Sequence, residues 1–270
     1  MKRSKITILL AIVLGMTFHS CLDLEPQDQL GGKNMWTSVN DYKQFANTFY
    51  SWTRDFSSVV YDGTHSDKRS DLITYQSYNE FSRGINSIPS SDANYTDNYK
   101  HIRRTNLLLQ NAEAYAKPED IKQYIGEAYF FRAYSYFDLL QLYGDVIITK
   151  KPLDITDPEM KVKRNDRSEV VDLIIDDLNH AVENLPAFKE LTTEEEGRIS
   201  KEGAQAFLSR VALYEGTWQK SRNGNQNTQR SANLLDIAAK AARTVIDAKY
   251  GYTFRLFGTD SETKILGDSA

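Results

Sequence analysis

Six blocks of helical period run through the chain, and one long stretch has none. From Val39 to Trp52 the apolar residues Tyr42, Phe45, Ala46 and Phe49 recur three and four positions apart, the spacing of one helical face. Residues 54–96 show no sustained period and are rich in Ser, Asp, Asn and Tyr, so they read as a long irregular loop. A stretch of that length is usually functional or unstructured. Period returns at Tyr99 and runs through Ile102 and Leu107–Leu109 to Ala116, ahead of Pro118.

The block Glu119–Tyr143 carries a stripe of Ile121, Ile125, Ala128, Phe131, Ser135, Leu139 and Leu142, while Phe130, Tyr134 and Phe137 load a second face. A helix apolar on most sides is buried between neighbours. Gly144 ends it, and Val146–Ile148 is a short extended run. Asp166, with Glu169 three residues on, has the form of a capping box. Behind it Val171, Ile174, Ile175, Leu178, Ala181, Val182 and Leu185 make a stripe that stops at Pro186. Lys201–Trp218 and Ser231–Lys249 repeat the arrangement across a polar loop, 221–230.

The blocks pair. Ala204 and Phe207 stand in the second pair where Ala128 and Phe131 stand in the first. Small residues followed by large ones on paired helices are how tetratricopeptide-like hairpins stack, each unit covering a face of the next. The pattern therefore predicts an all-α fold of such hairpins, with strands confined to short pairings.

The N-terminus has another character. Lys2, Arg3 and Lys5 precede an apolar run, Ile6–Leu14, that ends near the only cysteine, Cys21. That order reads as a secretory leader over residues 1–20. The run is about nine residues, against the roughly 20 needed to span a bilayer as a helix. A leader that ends on cysteine resembles the bacterial lipoprotein signal, which makes Cys21 the expected lipidation site. Residues 21–38 read as a flexible tether and 39–270 as the helical domain. Removing the three leader cations takes the formal charge from −4 to −7, and basic residues are scattered, which argues against nucleic acid.

Catalytic signatures are missing. His19, His65, His101 and His180 are isolated, with no zinc spacing, no Gly-rich phosphate loop and no Gly-x-Ser-x-Gly. No metal, cofactor or enzymatic activity is expected. The acids Asp176–Asp177 and Glu194–Glu196 read as solvated surface. Arg132, in an aromatic helix, reads as the structural partner of a nearby acid.

Four stretches in order carry a family resemblance: Cys21-Leu22-Asp23, IRRTNLLLQNAE at 102–113, GEAYFFRAYSYFDLLQLYGDVIIT at 126–149, and GRISKEGAQAFLSRVALYEGTW at 197–218. Together they resemble the SusD/RagB family of Bacteroidetes surface lipoproteins. The resemblance implies a protein lipid-anchored in the outer membrane and facing the exterior. It would bind an oligosaccharide and pass it to a SusC-like TonB-dependent transporter. A peptide or other nutrient is the alternative cargo, and a pure protein-interaction scaffold the alternative role. Asp23 and Glu25 resemble the family's export signal. Members are typically about twice as long, so the chain reads as incomplete at its C-terminus.

In the family's glycan binders, site residues fall in the loop before the helix that opens near Ile102. Here Tyr75, Tyr78, Phe81, Arg83 and Asn86 lie in that region. Flat rings suit the C–H faces of sugars, and amide and guanidinium groups suit their hydroxyls. These five are the expected ligand-binding residues. The other use of the same rings is to pack the loop against the helices.

Overall fold

The computed structural model describes residues 35–53, 83–85, 87–154, 156–222, 228–247 and 249–250. Six α-helices stand among the described residues. The first, α1 (Val39–Asn47), opens on a capping box in which the Asp41 amide donates to Ser38 Oγ at 3.3 Å and the Ser38 amide to Asp41 Oδ2 at 2.8 Å. It runs into a 3₁₀ segment, Thr48–Trp52. Next come α2 (Ala93–Glu113), α3 (Lys122–Tyr143), α4 (Arg167–Asn184), α5 (Lys201–Arg222) and α6 (Thr228–Ile246).

Side-chain pairings set the helix directions. Arg132 meets Asp177 and Tyr129 stacks on His180, so α3 and α4 are antiparallel. Ser231 Oγ donates to Gly216 O and Ser209 Oγ to Ala238 O, both at 2.8 Å, which makes α5 and α6 the second antiparallel pair. Phe130 contacts Phe207 and Phe137 contacts Tyr214, so α3 and α5 run parallel. Two hairpins therefore stack in register, as the repeated small-then-large pattern predicts.

The core follows from composition. Helix α3 buries residues on nearly every side, Phe131, Tyr136, Leu139 and Leu140 among them, because its sequence is apolar all round. Gly126 lets the end of α4 come close: a Cβ there would lie 3.0 Å from the Leu185 amide nitrogen. Gly144 ends α3 at φ +72°, a backbone that side-chain-bearing residues rarely adopt.

Three findings depart from the sequence reading. Helix α2 starts at Ala93 on the N-cap Asp92 rather than at Tyr99. The expected short strand at Val146–Ile148 makes only one antiparallel bridge, Val146 with Asn165, and the described residues hold no longer strand. Asp177 is not solvated surface, since it is fully buried against Arg132 while Asp176 stays exposed. The expectation of an acid partner for Arg132 holds.

Two further arginines close the layers: Arg167 pairs with Glu215 of α5 at 2.8 Å, and Arg198 with Glu127 of α3 at 2.8 Å. His101 stacks on Trp52 at 4.1 Å, and His180 lies among Tyr129, Asp176 and Glu183.

Candidate functional site

The first turns of α2 face a segment that has left the helical stack. Between them opens a cleft of about 490 Å³. Tyr95, Tyr99 and Arg103 of α2 line one side, with Lys100 at the rim; Ile147, Thr149 and Leu153 line the other, closed by Glu159 and Met160 of a 3₁₀ turn.

The rings come from helical spacing. Tyr95 and Tyr99 are four residues apart and so share a face, with centroids 4.8 Å apart. Tyr143, at the end of α3, meets Tyr95 edge-on at 5.2 Å, and its hydroxyl donates to Asp92 Oδ2 at 2.7 Å. The N-cap of α2 is thereby tied to α3. Tyr99 donates to the Ile147 carbonyl at 2.8 Å, and burial holds its phenol well above the usual tyrosine range. It is a neutral donor at any physiological pH.

The opposite wall is an extended segment whose backbone is satisfied by side chains instead of a sheet. The Thr149 amide donates to Tyr136 Oη at 2.8 Å, the Ile148 amide to Asn165 Oδ1 at 2.9 Å, and Asn106 Nδ2 reaches the Thr149 carbonyl at 2.9 Å.

The cations at the cleft are already engaged: Lys100 with Asp97 at 2.7 Å, Lys151 with Glu159 at 2.8 Å, and Arg103 with the Leu153 carbonyl at 3.5 Å and Asp154 at 4.0 Å. Rings, aliphatic stems and balanced charge suit an amphipathic ligand with apolar C–H faces and hydroxyl edges. Among the described residues the lining holds no histidine, cysteine or serine, and there is no group of three His, Cys, Asp or Glu side chains able to bind a metal. No described helix is long and apolar enough to cross a membrane. A second groove of about 630 Å³, between α4 and α6, is more polar; its Arg230 is held by Asp172 at 2.8 Å.

Of the sequence-predicted ligand residues, Arg83 is exposed and does not line the cleft. Tyr75, Tyr78, Phe81 and Asn86 lie outside the described residues, as do Cys21 and His65. Sequence reasoning did not single out Tyr95 or the far wall, which line this cleft. The available signal was Asp92 as an N-cap, which would have extended the helix back and placed Tyr95 and Tyr99 on one face.

Comparison with known proteins agrees with this architecture. A family model described as starch-binding, associating with the outer membrane, matches residues 22–213. Two SusD-like proteins of Formosa agariphila are each 28% identical, one over 79% of this chain and 42% of its own length, the other over 82% and 45%. The chain thus spans about half the length of the curated relatives it matches. Among solved structures, a SusD-like protein of Bacteroides fragilis superposes with a TM-score of 0.62 at 24% identity, covering 87% of this chain and 42% of the other. A laminarin-binding SusD-like protein superposes at 0.50 with 27% identity, covering 66% and 36%. A match over so much of the chain, on stacked hairpins of the same fold, makes this protein a member of the SusD-like family.

Proposed function

We propose that the chain serves in a surface lipoprotein that binds an oligosaccharide in the Tyr95–Tyr99 cleft and hands it to a TonB-dependent outer-membrane transporter. The observation that carries the reading is the pairing of two adjacent tyrosines, their rings tilted at 48° with centroids 4.8 Å apart, with a polar, side-chain-bonded wall across a cleft of about 490 Å³. Rings supply faces for sugar C–H groups, and the wall supplies fixed polar groups, the usual composition of a small-ligand site. Laminarin binding by a 27% identical relative supports glycan as the ligand class. Tyr75, Tyr78, Phe81, Arg83 and Asn86 directly precede α2 in the chain, and in this proposal they extend the same surface. Cys21 is the proposed lipid attachment.

The test is calorimetric titration of the protein with laminarihexaose and a xyloglucan oligosaccharide. An aromatic face is worth about 0.5–1.5 kcal/mol by analogy with ring pairs, so Tyr95→Ala should weaken binding about two- to tenfold. Glycan binding that is indifferent to Tyr95→Ala, or absent across both probes, removes the reading.

A further inference from the structure

The extended wall of the cleft raises a physical question that packing alone does not answer. Past the Val146–Asn165 bridge it has no strand partner, yet its polar groups are held in place. Tyr99 takes the Ile147 carbonyl, Tyr136 the Thr149 amide, and Asn106 Nδ2 both the Thr149 carbonyl at 2.9 Å and the Lys151 carbonyl at 3.3 Å. A wall held by side chains is only as well placed as those side chains.

Asn106 is the sensitive one. Its amide can rotate by half a turn and exchange oxygen for nitrogen at nearly the same shape. In the observed orientation its donor faces two carbonyls; in the other, its oxygen would face them and repel. What selects the orientation is Arg132, whose Nη1 donates to Asn106 Oδ1 at 2.8 Å. Arg132 is itself gripped from α4, Nε and Nη2 donating to the two Asp177 oxygens at 2.8 and 2.6 Å. Burial works against the charge on Arg132, and the Asp177 carboxylate outweighs it, holding the guanidinium above its ordinary value. All three side chains are nearly inaccessible: Asn106 1%, Arg132 5% and Asp177 0% exposed.

We propose that Arg132 is a positioning residue of the cleft: anchored on α4 by Asp177, it sets the orientation of Asn106 and through it the wall at Thr149–Lys151. The proposal rests on the reading of that cleft as the glycan site. Holding helices together does not require such a chain, because well-packed apolar residues often replace a buried ion pair at no loss of stability or with a gain. Direction is what apolar packing lacks. A guanidinium is also suited to it as a lysine is not, since its planar fork presents donors to partners on two sides at once.

Two variants of the full chain test this, Arg132→Lys and Asn106→Asp. The first keeps a cation beside Asp177 but cannot grip both Asp177 and Asn106. The second keeps a partner for Arg132 and removes the donor to the wall, and it decides the matter if the first does not fold. The primary readout is amide hydrogen exchange at Ile148 and Thr149, referenced to the α5–α6 hairpin. Exchange there should rise tenfold or more while the hairpin stays within twofold. Exchange that rises equally in both places, or in neither, marks Arg132 as core packing and overturns the proposal.

The second readout is affinity for laminarihexaose and the xyloglucan oligosaccharide, expected to fall at least fivefold in Arg132→Lys. Unchanged affinity beside a loosened wall also overturns the positioning role. If the wild-type protein binds neither sugar, the glycan reading fails by itself, and the exchange result still decides whether Arg132 sets the wall.

Discussion

Replacing Gly126 by alanine sets two effects of known size against each other. Ala is preferred over Gly inside a helix by about 1 kcal/mol, so an open site would gain that much. Here the added Cβ would lie 2.9 Å from Leu185 Cγ, 3.0 Å from the Leu185 amide nitrogen and 3.1 Å from Asn184 Cβ. Two of those atoms belong to or adjoin the backbone at the end of α4, and Leu185 is only 1% exposed. Relief therefore requires moving one helix end against another. Overpacking of this kind costs about 1–3 kcal/mol, and a backbone obstacle belongs to the upper part of that range. The net expectation is destabilisation by about 1–2 kcal/mol.

Gly203 supplies the control within the same molecule. A Cβ there meets Ile199 Cδ1 at 2.6 Å, the free end of a flexible side chain, and nothing else closer than 3.5 Å. The methyl can rotate aside, so Gly203→Ala should be neutral or stabilising by up to about 1 kcal/mol. Urea unfolding followed by circular dichroism separates the two. With a slope of about 2 kcal/mol/M, the midpoint should fall by about 0.5–1 M for Gly126→Ala and hold or rise for Gly203→Ala. A Gly126→Ala midpoint at or above wild type would show that the α3–α4 approach yields easily, and the steric argument would be refuted.

Other expectations follow from single contacts. Arg198→Leu leaves Glu127, fully buried, without its cation; the cost should be about 3–5 kcal/mol, and adding Glu127→Met should recover most of it in the same urea assay. Burial pushes the His101 imidazole down to about 4, with Asp97 opposing and Arg104 and Lys100 reinforcing the shift. The unfolded chain then takes up the proton first, so His101's contribution is complete above about pH 6.5 and is lost as pH falls toward 4. Melting temperature against pH should be flatter over that window in His101→Phe, and an identical slope would dismiss the linkage. Cys21→Ser should abolish membrane partitioning and labelling by palmitate analogues; a variant that still does both would dispose of the lipid anchor.

Much of the helical stack is legible in the sequence because the information is local. The Asp166–Glu169 box and the Val171–Leu185 stripe announce α4, and an apolar circumference announces the burial of α3. The paired acids at 176 and 177 show where reading by residue type fails. Adjacent helical residues point about 100° apart, so only one of the two can share the face of Ile174 and Ala181. Position 177 lies on that stripe and 176 does not, a signal present in the spacing but hidden by the chemistry of aspartate. The start of α2 was obscured for a related reason. Asn94, Thr96, Asp97 and Asn98 are weak helix formers, so the first turns look like loop although Asp92 caps them. The cleft wall was beyond reach, because Val146–Ile148 reads as a strand and the Tyr99, Asn106 and Tyr136 groups that replace its sheet come from two other helices.

Arg198 and Ile199 impose an order in time. The Ile199 amide donates to Tyr50 Oη at 3.0 Å, across 149 residues of sequence, and Arg198 reaches Asn47 and Glu127 together. By contrast, α5 ends at Arg222 and α6 begins at Thr228, so that hairpin closes over a short connection. Pairings of that separation bear the largest loop-closure entropy and form late. A chain emerging N-terminus first presents α1 before α2 and α3 supply Arg104 over Phe45 and Phe131 against Phe49, and longer still before Arg198 and Ile199 reach it. The docking of α1, the first helix among the described residues, is therefore complete only once the segment leading into α5 has been made.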